Sequence, residues 1–169
     1  MRITTKGLVL REVKVRESDK ILTILAPGLG IFSASARGAM RPQNKLFSGT
    51  GLFCYSEFIL YEGRTMYRAD EATPVEVFFG LRDSVEAIAL ATYISELVQI
   101  LQPTGAEAEA LLNLALNSFY MLAQGKTPPQ QVKPVFEVRA MTESGFMPDV
   151  LACQGCGRYE GGNFRFRPN

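Results

Sequence analysis

At Thr73–Pro74 the spacing of apolar residues changes, and that change divides the chain. Before it, apolar and polar residues alternate in short runs broken by turn residues, the pattern of half-buried strands. After it, apolar residues recur three and four apart, as on an amphipathic helix. Strands first and helices after is the order of an α+β chain, not of an alternating α/β one.

The first half reads as five strands. Thr4–Val15 places Leu8 and Leu10 on one face, with Val9, Val13 and Val15 on the other and Arg11 among them. A polar turn at 16–20 leads to a strand over Ile21–Ala26. Pro27-Gly28-Leu29-Gly30 is a turn, because proline presets its backbone angle and glycine accepts a positive one. From Gly30, Phe32, Ala34 and Ala36 fall on one face and Ser33, Ser35 and Arg37 on the other. Residues 44–51 form a loop. Leu52–Tyr61, rich in aromatic and branched residues, is a strand; Glu62-Gly63-Arg64 is a hairpin, and Thr65–Ala72 returns antiparallel. Five strands in about seventy residues favour a closed or nearly closed barrel, which leaves no edge exposed.

From Val75 onward the pattern is helical: Leu81, Val85 and Ile88, then Leu90, Ile94, Leu97 and Leu101. Few polar residues interrupt 87–101, so this helix is expected to be buried on more than one side. Gln102-Pro103-Thr104-Gly105 ends it. A second helix over about 106–124 carries Leu111, Leu114, Ala115, Phe119 and Leu122 on one stripe, with Glu107 and Glu109 in its first turn and Gly125 as its stop. A third, roughly 130–144, carries Val135, Phe136, Val138 and Met141, with Pro134 near its start.

Charge is unevenly spread. Residues 1–45 hold nine Lys/Arg against three Asp/Glu; residues 46–169 hold nine against fourteen. A basic head on an acidic body suits a polyanion partner for the head alone. Within it, the stretch Gly30–Lys45 ends in a loop with Arg37, Arg41 and Lys45 and no acid. These three are the leading candidates for phosphate contacts, with Lys14, Arg16 and Lys20 in support. Phe53, Tyr55, Tyr61 and Tyr67 are candidates for stacking on bases, or equally for core and interface. Ordinary solvated charge is the alternative for the cations.

Other classes find little support. There is no histidine, no G-x-S-x-G and no phosphate-loop motif, so no catalytic constellation is seen; acid pairs such as Asp70-Glu71 read as surface carboxylates. No run of about twenty uncharged apolar residues suggests a membrane span, and the start lacks the apolar core of a signal peptide, so a cytosolic protein with no small-molecule substrate is expected. Three cysteines, two in Cys153-Gln154-Gly155-Cys156, do not resemble a secreted disulfide framework. The C-x-x-C has the shape of a zinc knuckle, yet zinc wants four ligands and Cys54 is far away in sequence. Two reduced thiols or a redox pair are the other readings. Residues 161–167 read as a short hairpin strand.

Taken in order, T-K-G-L-V-L-R-E, D-K-I-L-T-I-L-A-P-G-L-G, S-A-R-G-A-M-R-P-Q-N-K-L-F-S-G and F-E-V-R-A-M-T-E-S-G-F-M-P-D-V-L-A-C-Q-G-C-G resemble the bacterial RecO DNA-repair proteins over nearly the whole chain. The resemblance implies an N-terminal OB-fold barrel (1–74), a helical domain (75–148) and the first half of a zinc ribbon (149–169) held by Cys153 and Cys156. It implies a non-enzymatic protein of the cytoplasm and nucleoid. Such a protein binds single- and double-stranded DNA, anneals complementary strands, and helps load the RecA recombinase onto strands coated with single-stranded-DNA-binding protein, working with RecR. A groove between the helices could receive that protein's tail. Two departures stand out. The sequence stops before a second pair of zinc ligands and the family's final helices, so the chain looks cut short. Met40 and Gln43 stand where relatives often carry basic residues, which implies weaker electrostatic binding.

Overall fold

The computed structural model describes residues 1–102, 107–147, 151–153 and 155–160. Its first half is β1 (Arg2–Lys14), β2 (Lys20–Ala26), β3 (Gly30–Ala36), β4 (Cys54–Tyr61) and β5 (Tyr67–Val77). These close into a barrel in the order β1-β2-β3-β5-β4. All pairs are antiparallel except β3–β5, and β1 pairs with both β2 and β4. Closure satisfies both edges of every strand, as the number and shortness of the strands lead one to expect.

The small face of β3 does what its residues suggest. Phe32, Ala34 and Ala36 are buried inside the barrel with Val9, Leu22, Ile24, Phe58 and Leu60. The alternation along β1 breaks at a bulge between Val9 and Arg11. Val9 therefore points inward, whereas Val13 and Val15 are exposed and not on a buried face.

The period change at Pro74 does not end the fifth strand. Ser56 of β4 pairs with Pro74 where the ladder shifts register between Tyr55 and Ser56. A bulge is a place in a sheet where a missing amide donor is tolerated. So β5 runs on to Val77, and only then come a 3-10 turn over Phe79–Asp83 and helix α1 (Val85–Leu101). The Ser84 hydroxyl accepts the Ala87 amide at 3.3 Å and caps α1. Val85, expected in the apolar stripe, is exposed; the buried face is Ala87, Leu90, Ala91, Ile94, Ser95 and Val98. Thr92, Glu96 and Ile100 are exposed, so α1 is buried on one side and not on several.

Helix α2 (Glu109–Gln124) buries the expected stripe and stops at Gly125, whose φ of 65° is left-handed. Helix α3 (Pro129–Glu143) buries a different one. Val132, Phe136 and Ala140, four apart, face the core, while Val135, Val138 and Met141 are exposed. Pro134 is accommodated inside the helix.

The two halves share a core. The outward side chains Leu8, Leu10 and Leu25 of the barrel pack into one cluster with α1, α2 and α3. Phe53 and Phe78 meet Phe119 edge-on, with ring centroids 5.1 and 5.7 Å away. Gly80 lies so close to the α2 terminus that a Cβ there would collide with the Ala123 carbonyl. No helix among the described residues is long and apolar enough to cross a membrane.

Candidate nucleic-acid interface

The cationic loop between β3 and β4 is not an open flap. Its path is three consecutive turns, with Arg41, Asn44 and Phe47 donating their amides to the carbonyls of Gly38, Arg41 and Asn44. Asn44 braces the turns from within: its Nδ2 donates to the Arg37 carbonyl at 3.2 Å, and its Oδ1 accepts the Leu46 amide at 2.9 Å. Ala39 and Leu46 are buried in the barrel interior cluster and hold the loop over one barrel end.

That loop is tied to the turn between β1 and β2. The Asp19 carboxylate accepts the Gly38 amide at 2.8 Å, and the Ser18 carbonyl accepts the Met40 amide at 3.0 Å. Gly38 has a φ of 67°, a region in which a side chain would be strained. Strand register completes the arrangement: Lys14 lies opposite Lys20, and Lys20 opposite Ala36, the residue before Arg37. Lys14, Arg16, Arg37, Arg41 and Lys45 are thus brought to one end of the barrel, and all five are exposed.

Lys20 is not among the free cations. It pairs with Ala36, two residues from Leu22, and so shares the phase of the barrel interior. Its ammonium donates to Glu12 Oε2 at 2.6 Å, with only 12% of the side chain exposed. The pair closes the mouth of the barrel. Lys45 is more loosely engaged, 3.4 Å from Glu71 with 72% of its side chain exposed. Arg37, Arg41, Lys14 and Arg16 form no ion pair with a described residue.

The aromatic candidates separate in the same way. Phe53, the only described non-glycine residue with positive φ, is buried in the shared core. Tyr55 packs partly against the same core, and burial pushes its phenol pKa up. Tyr67 meets Phe32 edge-on at 5.1 Å and lines a groove with Ser33, Arg64 and Met66. Tyr61 is half-buried on the barrel exterior, with the Arg68 guanidinium 5.1 Å from its ring centroid.

Among the described tail residues, Cys153 donates its amide to the Arg158 carbonyl and accepts the Gly157 amide, both at 2.8 Å. Hydrogen bonds from the Gly155 amide, then from Cys156, lower the Cys153 thiol pKa. That suits a metal-binding thiolate. Two thiols are half of a tetrahedral set, and no group of three or more potential ligands occurs among the described residues. Zinc is therefore not accounted for by these residues alone. Burial raises the pKa of the third thiol, Cys54, within the barrel wall. The expected strand over 161–167 lies outside the described residues.

A closed five-stranded barrel with a solvent-facing cationic end, sharing its core with a helical bundle, defines the class. Within it, the chain belongs to the recombination protein O family. Residues 1–78 match the family's N-terminal model and residues 82–168 its C-terminal model. It is similar to proteins named DNA repair protein RecO. That of Acetivibrio thermocellus is 38% identical over 155 residues, covering 92% of this chain and 62% of the relative. That of Alkaliphilus metalliredigens is 32% identical over 166 residues, covering 98% and 68%. That of Symbiobacterium thermophilum is 34% identical over 165 residues, covering 96% and 65%. The chain thus spans about two thirds or less of the length of these relatives.

Proposed function

We propose that this chain is the DNA-binding portion of a non-enzymatic mediator of recombinational repair. It binds single-stranded DNA, anneals complementary strands and helps load recombinase onto strands coated with single-stranded-DNA-binding protein, with RecR as a partner, in the cytoplasm at the nucleoid. The observation that carries this reading is the convergence of Arg37, Arg41, Lys14 and Arg16 on one barrel end without acidic partners. Membership of the family and the strand order, that of an OB-fold, support it. Cations facing two backbones at once lower the repulsion between them, which is what pairing two strands requires. Zinc held by Cys153 and Cys156 belongs to this proposal as a structural ion, with its other ligands outside the described residues.

The test is a fluorescence-anisotropy titration with oligonucleotides at two salt concentrations. The expected result is binding that weakens with salt and falls sharply in the double variant Arg37→Glu, Arg41→Glu. The exposed apolar side chains of α3, Val135, Val138 and Met141, favour a second reading, a scaffold whose partners are proteins alone. Binding indifferent to the double variant, or none at low salt, would leave that reading standing.

A further inference from the structure

The cationic end is not the last place on the barrel where positive charge meets an aromatic ring. Strand register aligns one outward-facing row across four neighbouring strands. Ser35 of β3 lies beside Arg68 of β5, Arg68 beside Tyr61 of β4, and Tyr61 beside Arg2 of β1. The residues next in sequence, Ala34, Ala36, Ala69, Leu60 and Ile3, all belong to the interior cluster, which fixes this row on the outside. With neighbouring strands about 4.8 Å apart, the row spans roughly 14 Å. Its near end joins the site already described, because Ser35 and Arg37 share the outward face of β3.

Two features distinguish this row from scattered surface charge. Arg68 does not reach for a carboxylate; its guanidinium lies over the Tyr61 ring. A layered Tyr–Arg pair offers a flat cationic surface on which a base can stack. Arg2 and Arg68 are exposed and form no ion pair with a described residue. The nearby acids are accounted for. Glu62 faces the terminal amine at 4.0 Å, Glu71 faces Lys45, and Glu57 stands opposite Lys6.

We propose that a single nucleic-acid strand bound at the cationic barrel end continues over β5 and β4, with Tyr61 and Arg68 as its base-stacking platform and Arg2 as its far phosphate contact. This rests on the DNA-binding reading above and extends it to residues outside the loop. Charge complementarity and the flat aromatic surface select a single strand, since bases in a duplex are already stacked on one another.

The chain contains no tryptophan, so Tyr61→Trp introduces a unique fluorophore at the platform. Anisotropy of labelled oligothymidylate and emission of the new indole are read on the same samples. Single strands are expected to quench the indole, and duplex of equal length to leave it bright. Arg2→Ala with Arg68→Ala should lower the slope of log affinity against log salt by about 1.4, from about 0.7 per lost phosphate contact. Tyr61→Ala should weaken single-strand binding roughly five- to 150-fold. Arg68→Lys, which keeps the charge and loses the plane, should retain the salt slope and lose part of the affinity. Salt-sensitive binding by the unaltered chain, with no quenching and an unchanged slope in the arginine variants, would overturn the platform and leave the loop site intact. No binding by the unaltered chain would overturn both.

Discussion

The two ends of the barrel wall are made from similar strands and put to opposite uses. On the side of Leu8, Leu10 and Leu25, the outward residues are apolar and covered by helices, with Phe53 and Phe78 reaching across to Phe119. At the end where β3 leaves the sheet, the outward residues are Ser33, Ser35 and Arg37, and they remain in water. The first surface is kept by burial and depends little on salt; the second acts through charge and depends on it strongly. Damage to the one should therefore appear as lost stability, and damage to the other as lost binding.

Phe119→Ala is the strongest blow against the covered side. It removes a fully buried ring that touches both halves and should cost about 3–5 kcal/mol in denaturant unfolding. Separate unfolding of barrel and helices, with the barrel undisturbed, would contradict a shared core. Next comes Lys20→Met, which leaves Glu12 half-buried without its partner. A loss of about 1–2 kcal/mol is expected, with the salt slope of DNA binding unchanged. A fall in slope would return Lys20 to the phosphate contacts. Arg37→Ala reverses that pattern, lowering the slope by about 0.7 and keeping stability within about 0.5 kcal/mol.

The smallest effect belongs to the helices. Hydrogen bonds from Lys133 and then Tyr93, each 2.6 Å from Glu137 Oε1, hold the Glu137 carboxyl pKa below its ordinary value. A lowered folded-state pKa stabilises above the unfolded value, and that contribution fades as pH falls through the folded one. Glu137→Gln should thus be slightly less stable at neutral pH and indistinguishable from the unaltered chain in acid. Equal stability at both would show that solvent screens this surface cluster fully.

Much of this was legible beforehand, for reasons that also explain the misses. Five strands and three helices follow from turn residues and apolar period, and the inward face of β3 from its alternation. The phase of Lys20 was equally readable: it stands two residues before Leu22, on the side of the core. Attention to charge alone hid that parity. The extension of β5 through Pro74 could not be read locally, because the bulge that tolerates the proline is set by the pairing partner, β4. On α3, residues of comparable hydropathy occupy both faces, so only the neighbouring helices decide that Val132 is buried and Val135 is not. The row Arg2–Tyr61–Arg68 joins residues about sixty positions apart, and no window on the sequence places them together.

The left-handed turn at Phe53 carries a consequence of its own. The segment that begins at Arg37 over open water finishes as a ring lodged among the helices, with its amide donated to the Val9 carbonyl. A ligand pulling on the guanidinium groups at the start of that segment tugs on an anchor set in the opposite half of the molecule. Grip on a nucleic acid and the seating of the helical bundle are, through one strained phenylalanine, mechanically the same joint.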